Sequence, residues 1–264
     1  MKKTTKIIAF ANNKGGSGKS TTCSNVGYAL TLMGKRVLLV DCDMQQNLSL
    51  SFFGEDEVME FSDGDETLYD AIKNESDASP FIRHTKYENL DLIPAGMLMS
   101  TAEYELYSKS DREKVLCRSL ENIKESGKYD FLLIDSPPTL GMLVMNIMCA
   151  SDYLLIPIEA SPWGLFGLAN MLDFYSKAKE MSPSLSLLGV AITKADGRKN
   201  YFRQTKDTLS SISGVRLFEN YIHVDSAVEW AQDKSEPVIA YKKNSRSSGE
   251  YFELAKEILN YVSR

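Results

Sequence analysis

The chain has 264 residues, of which 43% are hydrophobic and 25% are charged, and its formal net charge is −6. These values are ordinary for a globular protein, and we expect a single domain over residues 1–264. The acidic balance argues against a protein that coats nucleic acid with its whole surface. Because no segment has the pattern of a secretory signal or a membrane span, the sequence predicts a cytoplasmic protein without a membrane partner.

Short β-branched runs alternate with longer helical patterns along most of the chain, which predicts a parallel sheet with crossover helices. The predicted strands are Lys6–Phe10, Arg36–Asp41, Leu90–Ile93, Phe131–Asp135, Tyr153–Ile158 and Leu187–Thr193. Several of them are apolar on both faces, as strands covered by helices on both sides must be. The predicted fold class is therefore α/β, with a single doubly wound, mostly parallel sheet flanked by helices.

Two helices are predicted from stripes of apolar residues. The first begins at Lys19, ends near a C-cap at Gly34, and has a stripe made of Cys23, Val26, Leu30 and Met33. The last covers Tyr251–Val262, and its stripe is made of Phe252, Ala255, Leu259 and Val262. Both helices are expected to pack on the sheet.

Two further features lie outside this alternating pattern. The segment 54–66 is dense in carboxylates and has no basic residue, so we interpret it as an exposed loop, with a regulatory or partner-binding role as the alternative. The four cysteines show no metal-binding spacing and lie in apolar or helical surroundings, which predicts buried free thiols.

The sequence ANNKGGSGKST, residues 11–21, follows the first predicted strand and leads into the first predicted helix. A strand, a glycine-rich turn and Gly-Lys-Ser at a helix N-terminus form a phosphate-binding loop, whose backbone N–H groups point at the anion. Lys19 is then expected at the β- and γ-phosphates, and the Ser20 hydroxyl is expected to ligate Mg²⁺. The strict pattern fails at its first position, which is Asn13, and the next residue is Lys14.

Three carboxylates follow predicted strands at the edge of the sheet where ligands bind in open α/β folds. Asp41 and Asp43 end the second strand in VLLVDCDMQQN, and Asp135 ends a later strand in YDFLLIDSPPTLG. Residues two apart on a strand face the same side, so Asp41 and Asp43 can address one Mg²⁺–water–phosphate centre, with helix capping as the alternative for Asp41. Asp135 is expected to hold Mg²⁺ through a water, and the prolines after it to stiffen a loop that senses the γ-phosphate.

With these motifs in this order, the sequence resembles the deviant Walker A family, KGGxGK[ST], which includes the ParA and MinD ATPases and the nitrogenase iron protein. The segments LLIPIEASPWGLFGLANML, GVAITKADGRKN and EPVIAYKKNSRSSGEYFELAKEIL also resemble ParA-type proteins, so the likeness runs from about Lys6 to the C-terminus. The resemblance implies an ATPase that uses ATP and Mg²⁺ and forms a homodimer with ATP. The nucleotide-binding residues that it implies are Lys14, Gly15, Gly16, Ser17, Gly18, Lys19, Ser20 and Thr21.

The resemblance also implies individual roles. Lys14 is expected to reach the nucleotide of the other subunit, like an arginine finger supplied in trans. Asp43 is expected to position or activate the attacking water, while Asp41 supports the metal shell. Catalysis is thus assigned to Lys14, Lys19, Asp41 and Asp43, and metal binding to Ser20, Asp41 and Asp135.

ParA-type ATPases act in plasmid or chromosome partitioning: the ATP-bound dimer binds DNA without sequence preference, and a ParB-like protein stimulates hydrolysis. The resemblance therefore implies these two partners and association with the nucleoid. The candidate DNA-binding residues are Arg198, Lys199, Arg203 and Lys206, followed by Lys242, Lys243 and Arg246. The segment Tyr221–Gln232 lacks the arginines that relatives often carry there.

Three alternatives stay open. An ATPase that positions a protein cargo or regulates conjugation would bind no DNA. A MinD-like membrane switch would need a basic amphipathic tail, and none is expected after the last helix. An iron–sulfur protein would need cluster cysteines, and Cys149 has no matching partner. The TKAD sequence, Thr193–Asp196, is interpreted as a loop near an adenine base rather than as a guanine-reading motif.

Overall fold

The structure is a computed structural model that describes residues 5–64 and 66–263. Its strands are β1 (Lys6–Phe10), β2 (Val37–Asp41), β3 (Arg83–His84), β4 (Leu90–Ile93), β5 (Phe131–Asp135), β6 (Tyr153–Glu159) and β7 (Ser186–Thr193). Its helices are α1 (Lys19–Leu32), α2 (Asn47–Leu50), α3 (Glu55–Asp63), α4 (Leu68–Asn74), α5 (Ala102–Tyr107), α6 (Val115–Ser126), α7 (Met142–Ala150), α8 (Pro162–Met181), α9 (Asn200–Ser211), α10 (Ser226–Asp233), α11 (Val238–Tyr241) and α12 (Arg246–Val262). Short 3-10 helices cover Ser79–Phe81, Met97–Thr101 and Arg112–Lys114.

All of these strands belong to one sheet in the order β3-β4-β2-β5-β1-β6-β7. Neighbouring strands are parallel, except that β3 is antiparallel to β4. The predicted fold class is confirmed, and every predicted strand is present with bounds that agree within one residue. The short edge strand β3 was not predicted because two residues are too few to show an alternating pattern.

The sheet is covered on both faces because successive side chains of a strand point in opposite directions. In β1, Ile7 and Ala9 belong to the apolar cluster beneath α4 to α8. Ile8 and Phe10 belong to the opposite cluster, which includes residues of α1 and α12. All four side chains are at most 1% exposed, which explains why β1 reads as a continuous apolar run.

The helix predicted from Lys19 is α1, and Cys23, Val26 and Leu30 are buried in the core as expected. Gly34 follows this helix with a φ of 74°, a left-handed conformation that favours glycine, and its N–H donates to the carbonyl oxygen of Thr31. Within the part of the chain that the structure describes, no helix combines the length and the apolar character needed to cross a bilayer.

Three predictions need correction. Most of segment 54–66 is the helix α3 rather than a loop: its acidic first turn suits a helix N-terminus, and Val58 is buried beneath it. The closing helix begins earlier than predicted, at Arg246; Ala255 and Val262 are buried as predicted, whereas Phe252 and Leu259 are only partly buried beside Tyr251 and Ile258. Cys23 and Cys42 are buried as predicted, but Cys149 is only half-buried and Cys117 is exposed, since it lies on the outer face of α6.

The carboxyl edge of the sheet is where the strand register matters for function. Phe10, the last residue of β1, lies opposite Asp135 in β5, and Asp135 lies opposite Asp41 in β2. The ends of three neighbouring strands therefore bring two carboxylates to the point where the chain leaves β1 for the glycine-rich loop. This edge of a doubly wound sheet is the usual place for a ligand.

Candidate nucleotide-binding site

The glycine-rich loop turns sharply between β1 and α1. Gly16 and Gly18 have left-handed backbones, with φ values of 72° and 82°, which other residues rarely adopt. A Cβ atom on Gly18 would lie only 3.3 Å from Cγ2 of Thr193, at the end of β7. The Thr193 hydroxyl also lies 2.8 Å from the carbonyl oxygen of Ser17, so β7 braces the loop from behind.

Lys19 begins α1 and is largely buried, with 6% of the residue exposed. Burial lowers the pKa of its ammonium, and the charges of Asp135 and then Asp43 oppose that shift. Among the described residues, none forms a hydrogen bond or a close ion pair with this ammonium. A cation that is buried at a helix N-terminus without a direct partner is suited to an anionic ligand.

Asp135 is completely buried, and neither of its carboxylate oxygens accepts a hydrogen bond of ordinary geometry from any described residue. Burial, followed by the charge of Asp41, raises its pKa well above the usual range, while nearby Ser20 and Lys19 act in the opposite direction. Buried carboxylates in proteins normally have partners. An unpartnered carboxylate beside the Ser20 hydroxyl is the oxygen donor set that Mg²⁺ prefers, so these residues fit that ion.

Asp41, by contrast, is buried with its hydrogen bonds satisfied by the protein. Its Oδ2 accepts from the backbone N–H and the hydroxyl of Ser49, at 2.8 and 2.7 Å, and its Oδ1 accepts from the N–H of Asp43 at 3.0 Å. Burial still raises its pKa to about 6. Ser49 lies in the first turn of α2, so Asp41 caps that helix, which is the alternative given for it in the sequence analysis. A role of Asp41 in the metal shell stays a prediction.

Asp43 lies beyond the end of β2, so the strand does not continue through it as the same-face argument assumed. It nevertheless lines the cleft, with 4% of the residue exposed, and its Oδ1 accepts from the N–H of Gln45 at 3.1 Å. Its charge acts on Lys19. The structure therefore brings Asp43 to the predicted centre through a turn, and its catalytic role stays a prediction.

Lys14 is engaged within its own chain. Its Nζ donates to Oε2 of Glu159 at 2.8 Å and to Oγ of Ser161 at 3.2 Å, which joins the loop to the end of β6 and the N-cap of α8. The hydrogen bond from Lys14 lowers the pKa of Glu159. Both side chains remain partly accessible, at 28% and 36% exposed, so the pair can open at modest cost.

The glycine-rich loop forms one wall of a cleft of about 500 Å³, a size suited to a small-molecule ligand. The opposite wall contains Lys194 of the TKAD segment and residues that the sequence analysis did not place at the site: Ile222, His223, Val224, Asp225, Val228, Glu229, Gln232 and Tyr251. Gln232 donates to the hydroxyl of Thr21 at 3.1 Å, which joins α10 to the first turn of α1. The TKAD segment lies at the cleft through Thr193 and Lys194, and its place beside an adenine base stays a prediction.

The basic candidates Arg198, Lys199 and Arg246 line an exposed depression that adjoins this cleft, since both are lined by His223 and Val224. Arg198 is 91% exposed and forms a two-pronged ion pair with Asp196, while Arg203 and Lys206 project from α9. The fold brings Arg246 from the start of α12 to the same depression as Arg198 and Lys199. Arg246 is itself paired with Glu250.

Comparison with known proteins gives consistent matches over nearly the whole chain. Residues 5–187 match the AAA domain family. The sporulation initiation inhibitor protein Soj of Bacillus subtilis (strain 168) is 37% identical over 254 residues, which cover 96% of this chain and 98% of that protein. The chromosome partitioning protein ParA of Caulobacter vibrioides (strain NA1000 / CB15N) is 32% identical over 97% of this chain and 94% of its own.

A solved structure shows the same architecture. The cobyrinic acid a,c-diamide synthase of Mycobacterium smegmatis, with bound ADP and magnesium, superposes with a TM-score of 0.82 at 26% identity. The match covers 98% of this chain and 96% of the other.

Proposed function

Since the chain belongs to the AAA domain family and, within it, to the ParA and Soj partitioning ATPases, we propose that it is an ATP-driven switch that dimerises around two nucleotides. The protein is an ATPase, and its cofactors are ATP and Mg²⁺. The observation that carries the proposal is the pair of buried ionisable groups at one loop, the Lys19 amine and the Asp135 carboxyl, neither of which has a hydrogen-bond partner of ordinary geometry among the described residues.

These residues divide the work at the phosphates. Lys19 and the backbone N–H groups of residues 15–20 would bind the β- and γ-phosphates, because both are donors without a strong partner of their own. Ser20 and Asp135 would hold Mg²⁺, which when bound neutralises charge that develops on the transferred phosphoryl group. Asp43, at the mouth of the cleft, would orient the attacking water.

Dimerisation gives Lys14 its role in the proposal. A second copy facing the glycine-rich loop would offer polyphosphate to the Lys14 ammonium in place of Glu159, and the cation would then stabilise charge on the partner's nucleotide. Trp163 and Phe166, at the start of α8 beside this pair, are 72% and 63% exposed, which favours a protein contact at this face. Hydrolysis without a partner should be slow, because the closed dimer completes the site.

The proposed output is DNA binding without sequence preference by the ATP-bound dimer, with release after a ParB-like protein stimulates hydrolysis. Arg198, Lys199, Arg203 and Lys206 would neutralise phosphates, so retention should weaken steeply with salt. An ATPase that positions a protein cargo without binding DNA is the alternative, since Arg198 already has an intramolecular partner in Asp196.

The deciding experiment measures ATP hydrolysis with and without DNA, together with sedimentation in ADP, in a slowly hydrolysed ATP analogue and without nucleotide. We expect a dimer with the ATP analogue alone, and DNA retention only in that state. A monomer under all three conditions would contradict the switch. A nucleotide-dependent dimer that retains no DNA at low salt would favour the cargo-positioning alternative.

A further inference from the structure

The loop 136–141 connects Asp135 to α7 and passes the mouth of the cleft, where Pro138 lines the wall. Its first residue is fixed to the sheet, because the N–H of Ser136 donates to the carbonyl oxygen of Phe10 at 3.2 Å. Pro137 and Pro138 have no N–H with which to anchor the middle of the loop. The contacts at the far end of the loop therefore contribute to its position at the cleft.

The far end is held by a side chain from another helix. α7 begins after Gly141, an N-cap residue with no side chain to accept from the first N–H groups of the helix. Glu103 of α5 takes that place: its Oε2 accepts from the N–H of Met142 at 2.7 Å, and its Oε1 from that of Leu143 at 3.3 Å. A carboxylate at a helix N-terminus also interacts favourably with the helix dipole.

Gly141 and Glu103 are matched to each other. A Cβ atom at position 141 would overlap the Glu103 carboxylate, so only glycine leaves room for that carboxylate against the start of α7. The helix that carries Glu103 is itself anchored, since Ala102 and Leu106 are buried in the same apolar cluster as Leu143 and Val144. Glu103 thus joins a fixed helix to the end of a loop whose other anchor there is the packing of Leu140 against the core.

We propose that Glu103 is a positioning residue for ATP hydrolysis, which acts by fixing the loop 136–141 at the cleft and does not touch the nucleotide itself. This inference rests on the proposed function in one respect, which is that ATP hydrolysis is the reaction measured. It assigns Glu103 to the hydrolytic step rather than to nucleotide binding, because the glycine-rich loop and Lys19 are supported by β1, α1 and β7 independently of α5.

The test compares Glu103→Ala, Glu103→Gln and Gly141→Ala with Glu105→Gln, a control on the same helix whose carboxylate contacts Tyr69 instead of the loop. In Glu103→Ala, kcat should fall by about tenfold or more from misplacement of the loop, while the Kd for ATP stays within about threefold. Glu103→Gln keeps one acceptor oxygen and should recover part of kcat. Gly141→Ala should resemble Glu103→Ala, because it displaces the carboxylate.

The double variant Glu103→Ala/Gly141→Ala should be no worse than Glu103→Ala alone, since the overlapping group is gone. Amide hydrogen exchange over residues 136–145 gives a readout that does not depend on hydrolysis: Met142 and Leu143 should exchange faster in Glu103→Ala than in the control. Unchanged exchange, wild-type kcat in Glu103→Ala, or additive losses in the double variant would overturn the proposal. Wild-type protein that hydrolyses no ATP would instead overturn the proposed function, and the exchange result would still decide the role of Glu103.

Discussion

The ionisable residues of the cleft and those of the basic surface differ in their burial and in whether they have a partner within the protein. In the cleft, Lys19 and Asp135 are buried and lack direct partners, whereas Arg198 on the surface is almost fully exposed and already paired with Asp196. A buried charge without a partner is costly, so its presence indicates a ligand that the fold is built to receive. An exposed pair costs little and stabilises little, so it gives far weaker information about function.

The largest effect is expected from Lys19→Ala. Removing the buried cation should weaken ATP binding by about 4 kcal/mol, or roughly 10³-fold in Kd, because Lys19 is buried at the start of α1, whereas Lys194 beside the loop is exposed and Lys14 is paired with Glu159. Fluorescent ATP-analogue titration measures the change, and Lys256→Ala, an exposed lysine on α12, is the control. If Lys19→Ala is folded and binds ATP as the control does, the buried charge has no ligand role and the contrast is lost.

Lys14→Ala should leave ATP affinity nearly unchanged but prevent dimerisation, and it should lower kcat by about 10²-fold, as loss of one group that stabilises transition-state charge does. Sedimentation with the ATP analogue and steady-state turnover measure these effects. Glu159→Gln is the matched variant, because it opens the same ion pair but keeps the lysine, and it should still dimerise. Turnover of Lys14→Ala that equals wild type in the presence of a stimulating partner would contradict the role in trans.

The sequence predicts features that lie within one contiguous segment, and it does not predict features that depend on contacts between distant segments. The loop from Lys14 to Thr21 and the strand ending at Asp135 are contiguous, so local patterns were enough to identify them. The wall around Ile222 and the ion pair of Lys14 with Glu159 depend on contacts between distant segments, and no local pattern encodes them.

Two departures from the sequence analysis have a different physical cause. The charge of segment 54–66 favours a loop, but Val58 and Phe61 supply an apolar side that packs against the domain and makes a helix stable there. Asp43 lines the cleft as the sequence predicts, although the same-face argument requires β2 to continue that far. The structure reaches the same place by a turn in which the N–H of Asp43 donates to Asp41.

On the exposed side, the double charge reversal Arg198→Glu/Arg203→Glu should reduce ATP-dependent DNA retention several-fold at low salt. If both residues neutralise phosphates, the slope of log K against log salt should become shallower by about 2. Lys177→Glu on α8, an exposed lysine paired with Asp173, is the control for a general change in charge. Unchanged retention by the ATP-bound dimer would reject this surface as the DNA site and leave the nucleotide cleft unaffected.

The smallest effect separates the two buried carboxylates. Asp135 has no hydrogen-bond partner of ordinary geometry among the described residues, whereas Asp41 accepts a hydrogen bond from the Ser49 hydroxyl. Ser49→Ala should therefore destabilise the protein by about 1 to 2 kcal/mol when Asp41 is ionised. Ser51→Ala is the control, because its hydroxyl donates to the carbonyl oxygen of Asn47 and to no carboxylate.

The pH dependence of this loss has a definite sign. The folded-state pKa of Asp41 is raised to about 6, so folding favours its protonated form, and the stability linked to Asp41 declines as the pH rises through that value. The Ser49 hydroxyl stabilises the ionised form, so its removal should raise the pKa further, extend the decline to higher pH and enlarge the total loss. Chemical denaturation should therefore show a larger loss for Ser49→Ala at pH 8 than at pH 5, whereas Ser51→Ala should lose the same amount at both. Equal losses for Ser49→Ala at the two pH values would mean that the Asp41 charge is not held by this hydroxyl, and the distinction between the two carboxylates would fail.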